Sequence, residues 1–148
     1  MIVLIRNTVR IIVISIRYFI LKYLYKMDIS RDARISVGVK LDKTHPKGIH
    51  VAAGAYVASG TIIFSHDFSR GIKTDTYIGE DSFIGANVII MPGIKIGREV
   101  VVGSGAVVTK NVADNCIVAG NPAKVIKEGI NTTTFGKIVM KNRSEGQQ

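Results

Sequence analysis

The sequence predicts an all-β fold, a β-helix built from a six-residue repeat and preceded by one helix. A branched aliphatic residue recurs at every sixth position, a spacing that neither a helical period of 3.6 nor a strand period of 2 produces. Between residues 78 and 108 the recurring residues are Ile78, Ile84, Ile90, Ile96, Val102 and Val108. Four of these six are followed directly by glycine. Such a repeat is typical of a solenoid whose coils stack on one another.

The same frame continues toward the N-terminus in groups of three. Its earlier members are Val51, Val57 and Ile63, and before them Ile29, Ile35 and Leu41. Irregular stretches near 46–50 and 69–77 interrupt the repeat, and an inserted loop would leave a coil at a corner. A triangular prism with three short strands per coil explains this grouping. We therefore expect one domain of about four coils over residues 28–128, followed by a tail, 129–148, that is flexible or lies along the prism.

Residues 1–27 form a separate, basic segment. The segment contains no acid, and its cations are Arg6, Arg10, Arg17, Lys22 and Lys26. Its longest uncharged stretch, 11–16, is far shorter than the roughly 20 residues that cross a bilayer, and no small-residue cleavage site suggests a secretory signal. The pattern favours a basic amphipathic helix that either caps the open end of the prism or lies on an anionic membrane. The many β-branched residues before Arg17 leave a strand as the alternative.

Two stretches carry a resemblance to a known family. Residues 78–127, which end in "AGNPAKVIK", resemble the hexapeptide-repeat acyltransferases. Residues 44–70, "THPKGIHVAAGAYVASGTIIFSHDFSR", are most similar to O-acetyltransferases of capsular and exopolysaccharide synthesis. The resemblance implies a left-handed parallel β-helix, acetyl-CoA as the acetyl donor, a sugar hydroxyl as the acceptor, and a homotrimer with sites between subunits. A serine or antibiotic O-acetyltransferase is the alternative within the family.

His66 is the candidate catalytic base. Attack of a hydroxyl on a thioester needs a base of near-neutral pKa, which is the range of histidine. His66 stands three places after Ile63, where other repeats carry turn residues, so we expect it to point out of the prism beside a long loop. The segment "SHDFSR" also resembles the catalytic histidine segment of the family. The plain alternative is a solvated surface histidine.

Asp67 is the second catalytic candidate, although it occupies an unusual position. It falls in a slot that holds small or apolar residues in the other repeats, and an unpaired carboxylate inside the prism would be costly. Neighbouring strand residues point to opposite sides, so Asp67 should not orient the His66 ring directly. It would instead orient the acceptor or shape the loop, and His45, one coil below, is a candidate partner.

The expected cofactor site rests on the resemblance. Lys110, Lys124 and Lys127 match positions where relatives place basic residues near the phosphates of CoA, and Thr109 could add a hydroxyl contact. The resemblance also implies that Ala86 and Ser104, one coil apart, bind the pantetheine arm through their backbone groups. Phe83 stands where relatives often carry a larger aromatic residue. Taken singly, these lysines could equally be solubilising surface charges.

Other function classes find less support in the sequence. The net charge of +9 suggests nucleic-acid binding, but no aromatic-interleaved basic stripe or zinc pattern accompanies it. A zinc carbonic anhydrase on the same prism would need all three histidines around one metal, and we expect no metal. The single cysteine, Cys116, is interpreted as structural. A non-catalytic scaffold remains the alternative of a different class, and the expected location is the cytoplasm, with the inner face of the membrane as a variant.

Overall fold

In the computed structural model, which describes residues 1–140, a helix leads into a prism of stacked β-coils. Helix α1 (Ile2–Phe19) continues as a π-helical turn (Ile20–Leu24), and 3-10 turns occupy Pro46–Gly48 and Thr134–Gly136. The strands up to the seventh are β1 (Asp28–Ile29), β2 (Arg34–Ile35), β3 (Lys40–Leu41), β4 (Ile49–Val51), β5 (Tyr56–Val57), β6 (Ile62–Ile63) and β7 (His66–Asp67). The remaining strands are β8 (Ile72–Lys73), β9 (Thr76–Ile78), β10 (Phe83–Ile84), β11 (Ile89–Ile90), β12 (Lys95–Ile96), β13 (Val101–Val102), β14 (Val107–Val108), β15 (Cys116–Ala119), β16 (Lys124–Glu128), β17 (Thr132–Thr133) and β18 (Lys137–Ile138).

Three parallel sheets form the faces of the prism. The first face has the order β1-β4-β9-β12 and the third face the order β3-β6-β11-β14. The second face runs β2-β5-β10-β13-β15 in parallel and ends with β16, which folds back antiparallel to β15. Each coil therefore contributes one short strand to each face. The predicted left-handed parallel β-helix with an N-terminal helix is confirmed.

The predicted six-residue frame coincides with the core. All twelve aliphatic residues of the frame are buried, and they align in columns. On the third face, for example, Leu41 pairs with Ile63, Ile63 with Ile90, and Ile90 with Val108. Burial of each such side chain contributes about 1.5–3 kcal/mol. Because successive strand residues point to opposite sides, the residue before each column member faces outward.

Both interruptions of the repeat leave the prism at one corner. The third corner, as we name it, follows the strands of the third face and leads to the first face. Residues 42–48 form the shorter insertion, after β3, and residues 64–75 form the longer one, after β6. The longer insertion contains an antiparallel hairpin of β7 and β8, in which His66 pairs with Lys73. Both insertions begin and end earlier than the irregular stretches in the sequence suggest. The strands before them, β3 and β6, end at Leu41 and Ile63, and the strands after them, β4 and β9, start at Ile49 and Thr76.

The end of α1 and the turn that follows cover the N-terminal end of the prism. Leu21 is buried within the prism core. The Arg17 guanidinium donates to the carbonyl oxygens of Val37 and Val39, and Lys22 Nζ donates to the Ile29 carbonyl over 2.8 Å. No further coil lies beyond this end of the stack, so these side-chain bonds satisfy carbonyl groups that would otherwise lack a partner strand. Within residues 1–140, no helix combines the length and apolar character that a bilayer crossing requires.

Residues 129–140 pack against the outside of the prism. Ile130 and Thr132 are buried, and the Thr132 hydroxyl donates to the Asp81 carbonyl over 2.6 Å. Phe135 follows on the second face, where its ring lies 6.3 Å from that of Tyr56. This part of the predicted tail is therefore ordered along the prism. Residues 141–148 lie outside the described part of the chain.

Candidate active site

His66 lies at the third corner, where its ring contacts a buried carboxylate. Oδ2 of Asp42, directly after β3, accepts from the imidazole Nδ1 of His66. The same oxygen accepts the backbone N–H groups of Ser65 (2.9 Å) and His66 (3.0 Å). Oδ1 of Asp42 accepts the N–H of Thr44 over 2.8 Å. The Asp42 side chain is 3% exposed and the His66 side chain 24% exposed, so the pair has one buried and one open member.

The electrostatics of this pair keep Asp42 ionised. Burial alone would raise the pKa of the Asp42 carboxyl, but the hydrogen bonds from the Ser65 backbone, the His66 ring and the Thr44 backbone lower it to about 2. An ionised carboxylate can only accept, so the His66 nitrogen that faces it, Nδ1, carries the proton. In the neutral ring Nε2 then has a free lone pair, and it has no hydrogen-bond partner among residues 1–140. This arrangement suits a base that takes a proton from a hydroxyl.

Asp67 turns away from His66 into the hairpin. Its Oδ1 accepts from the Ser69 hydroxyl (2.6 Å) and the Arg70 N–H (3.1 Å), and its Oδ2 accepts from Arg70 Nε (2.7 Å). The hydrogen bonds from Ser69 and Arg70 hold the pKa of Asp67 well below its usual range. The suggested pairing with His45 is not found among residues 1–140, where Ser69 and Arg70 are the partners of the Asp67 carboxylate. Asp67 shapes the hairpin beside His66, and it does not contact the imidazole.

The three histidines do not converge on one point. His50 lies on the first face, between the carboxylates of Asp28 (3.0 Å) and Asp75 (3.2 Å), and its ring stacks on Tyr77 at 4.3 Å. Among residues 1–140, no three His, Cys, Asp or Glu side chains are placed to share a metal ion.

Cys116 is buried, and burial raises the pKa of its thiol, with the charges of Glu128 and Asp114 adding to the effect.

Most of the predicted cofactor residues flank the third face. Thr109 and Lys110 lie on the third corner directly after β14, which is two strands above β6, a rise of about 10 Å over His66. Ala86 and Ser104 lie on the corner between the second and third faces, where the Ala86 N–H donates to Ser104 Oγ over 3.1 Å. Lys124 and Lys127 are exposed on β16, at the same end of the prism as Lys110.

Phe83 is not brought together with these residues. Its side chain points out of the second face, with its ring 5.4 Å from that of Tyr56. The tail passes over this surface, because a Cβ built on Gly136 would lie only 2.3 Å from Phe83 Cβ. The described tail therefore packs beside Phe83, which lines an open cavity together with Tyr56 and Phe135.

Asp42 is the site residue that sequence reasoning missed, although the sequence holds a signal for it. In the twelve repeats, Asp42 is the only acid that directly follows a column residue. The pairing of Leu41 with Ile63 then places Asp42 beside the segment that leads to His66. The repeat alone does not show that Leu41 pairs with Ile63, because the lengths of the two inserted loops must also be known.

Comparison with known proteins agrees with the fold. Residues 75–110 match the family described as bacterial transferase hexapeptide (six repeats). The predicted resemblance to hexapeptide-repeat acyltransferases is thereby confirmed.

The similar proteins are acetyltransferases. The chain is 41% identical over 85 residues to a 2,3,4,5-tetrahydropyridine-2,6-dicarboxylate N-acetyltransferase of Staphylococcus aureus, a match that covers 57% of this chain and 33% of the relative. The chain thus spans about a third of the length of the curated relatives it matches. A maltose O-acetyltransferase structure from Clostridium difficile superposes with a TM-score of 0.59 at 28% identity, covering 76% of this chain and 74% of that one. The polySia-specific acetyltransferase NeuO gives a TM-score of 0.56 at 27% identity, with 80% and 56% covered.

Proposed function

We propose that this protein is an acetyl-CoA-dependent O-acetyltransferase that acetylates a hydroxyl of a sugar or polysaccharide precursor. The observation that carries the proposal is the contact of the open His66 imidazole with the buried Asp42 carboxylate. It orients one ring nitrogen and leaves the other available as a base, which direct transfer between two bound substrates needs. The maltose and NeuO enzymes support a sugar acceptor, because their likeness extends over 76% and 80% of this chain.

In this proposal His66 and Asp42 have distinct tasks. Nε2 of His66 takes the proton of the acceptor hydroxyl as its oxygen attacks, which makes the ring an imidazolium. Asp42 holds the ring through Nδ1 and stabilises the imidazolium with a full negative charge, which its low pKa maintains. His66 then returns the proton to the leaving thiolate, so the ring ends the cycle neutral. Asp67, tied to Arg70, keeps the hairpin in place beside the acceptor.

The residues around the third face fit CoA. Acetyl-CoA would supply the acetyl group as a thioester. Lys110 lies exposed at the third corner, and Lys124 and Lys127 lie exposed on β16 of the second face, at the same end of the prism. These lysines provide cations for the phosphates of CoA. Between these lysines and His66 the outward side chains of the face, Ile89 and Val107, are half-buried and apolar. This surface suits an apolar contact with the pantetheine arm or with a second prism, in keeping with a homotrimer whose sites lie between subunits.

Binding and turnover measured side by side test the proposal. Acetyl-CoA is titrated by calorimetry into wild type, His66→Ala and His50→Ala, and thiol release is followed on addition of candidate sugars. We expect saturable binding by all three proteins and turnover by wild type and His50→Ala alone. His50 is the matched control, because it also contacts carboxylates but lies on another face. Full turnover by His66→Ala would exclude the proposed base, and absence of acetyl-CoA binding would exclude the proposed reaction.

A further inference from the structure

One side of α1 presents a continuous row of apolar side chains to solvent. The outer stripe, as we name it, consists of residues spaced three, four and seven apart, so they share one side of the helix. Each of them is 51–64% exposed. Its members are Ile5, Val9, Ile12, Ile16 and Phe19. The ring of Phe19 is extended by that of Tyr23, 4.5 Å away and 59% exposed. An apolar row of this length indicates a surface that something else covers.

The opposite side of the helix fixes the direction of the stripe. Ile14, Tyr18 and Leu21 line a small cavity together with Ile29 and Ile35 of the first coil. At 3.6 residues per turn, these helix residues lie about 140–180° from the centre of the outer stripe. The C-terminal part of the helix is therefore held against the prism, with Arg17 bonded to the first coil. Most of the stripe points away from the prism, although Ile16 also lines a cavity with Val39 and Leu41.

Charge identifies the kind of surface that the stripe fits. Residues 1–27 contain five cations and no acid, and Arg6 and Arg10 are both exposed. By helical geometry these two arginines lie about 100–140° from the centre of the stripe, at its border and behind it. Such a helix can bury its apolar side in acyl chains while its cations reach lipid phosphates. A second copy of the same helix would bring like charges together without any acid to pair them.

We propose that α1 is an interfacial helix that docks this protein on an anionic lipid bilayer, with the outer stripe inserted and the prism standing above it. The aromatic pair of Phe19 and Tyr23 suits the headgroup boundary, where aromatic rings concentrate. The two functions considered for residues 1–27, capping and membrane contact, then belong to opposite sides of one helix. The proposal does not depend on the acetyltransferase activity.

The docked orientation has a geometric consequence for the candidate active site. The first coil contacts the helix, and His66 follows the third-face strand of the second coil. His66 then stands about 5 Å further from the helix than the first coil does. An acceptor carried by a membrane lipid would thus reach the third corner from below, whereas the lysines proposed for CoA lie at the far end of the prism.

Sedimentation of the whole chain with vesicles tests the proposal. Wild type is mixed with phosphatidylcholine vesicles that contain or lack about a third of phosphatidylglycerol, with Phe19→Glu, Arg6→Glu/Arg10→Glu and Ile126→Glu in parallel. Ile126 is the matched control, because it is 66% exposed, close to the 64% of Phe19, but lies on β16 at the other end. We expect wild type and Ile126→Glu to bind the anionic vesicles. Each helix variant should bind them more weakly, by about tenfold or by a larger factor.

Three results would overturn the proposal. Wild type could remain in the supernatant with anionic vesicles, or Phe19→Glu could sediment as wild type does. Alternatively, Phe19→Glu could lower the oligomeric mass in analytical ultracentrifugation while vesicle binding is absent from all proteins, which would assign the stripe to a second copy. Circular dichroism melting checks that each variant keeps the folded prism, and Ile16→Lys repeats the test where Phe19→Glu is unstable.

Discussion

Two histidines of this prism contact carboxylates, and the comparison between them separates a candidate site from a surface cluster. His50 lies between Asp28 and Asp75, whose side chains are 73% and 53% exposed, and both of its ring nitrogens are engaged. His66 contacts one carboxylate, that of Asp42, which is 3% exposed, and its other nitrogen has no partner within the described part of the chain. A histidine near acids is therefore a weak signal by itself. Burial of the acid, together with a free nitrogen on the open side, distinguishes the two.

Replacing each histidine in turn should give the largest contrast. His66→Ala is expected to lower kcat about a thousandfold, within the range for loss of a general base, whereas His50→Ala should change it about twofold or less. Both substitutions should leave the fold intact, because neither ring is in the core. Initial rates with acetyl-CoA and an active sugar acceptor measure the difference. Equal losses in the two variants would remove the distinction between the sites.

Changing the two carboxylates sharpens the comparison. Asp42→Asn keeps the side-chain shape but removes the charge and turns one acceptor into a donor, so the Ser65 and His66 amides lose part of their bonding. We expect kcat to fall about a hundredfold and the free energy of unfolding by about 2–3 kcal/mol. Asp28→Asn, on an exposed partner of His50, should cost about 0.5 kcal/mol or less. Urea unfolding and kinetics on both variants provide the test, and a fully active Asp42→Asn would contradict the positioning role.

Acid should destabilise the wild type through Asp42. Its carboxyl has a pKa of about 2 in the folded protein, below the usual value of 3.8, so it contributes stability that is present above pH 4. This contribution, about 2 kcal/mol from the size of the shift, is lost as pH falls from about 4 toward 2. Thermal melting of wild type and Asp42→Asn across this range should show the two curves converging. A constant gap down to pH 2 would mean that Asp42 does not titrate as proposed.

The smallest expected effect concerns the cations at the far end of the third face. Lys110→Ala should raise the KM for acetyl-CoA about fivefold with little change in kcat, because it removes a contact to a non-reacting part of the substrate. Lys95 on the first face, whose ammonium lies 5.5 Å from the Tyr77 ring centre, is the matched control. Steady-state kinetics with acetyl-CoA as the varied substrate distinguish them. An unchanged KM in Lys110→Ala would leave that lysine as a solubilising charge.

The repeat made the fold predictable, but it could not supply the site in full. Each column residue from Ile29 to Val108 was placed by period alone, since a six-residue lattice has few physical interpretations. His66 was predicted from three signals together: the pKa range of histidine, a turn position beside a break in the lattice, and a segment that resembles the catalytic histidine segment of the family. Asp42 was missed because its partner is 24 residues away, across an insertion that the lattice does not describe. The packing of Gly136 against Phe83 was also beyond sequence reasoning, since the tail has no period that fixes its path.

The double use of Asp42 constrains any redesign of this protein for a new acceptor. One of its oxygens receives both the histidine ring and the two amides that begin the hairpin insertion. A variant library selected for folded protein would therefore lose most substitutions of Asp42 before any activity is measured. Substitutions at the hairpin tip should affect folding little, because Phe68 is 93% exposed. Diversity introduced at Phe68 and its exposed neighbours would sample new acceptors at little cost in yield, with the histidine and its carboxylate kept constant.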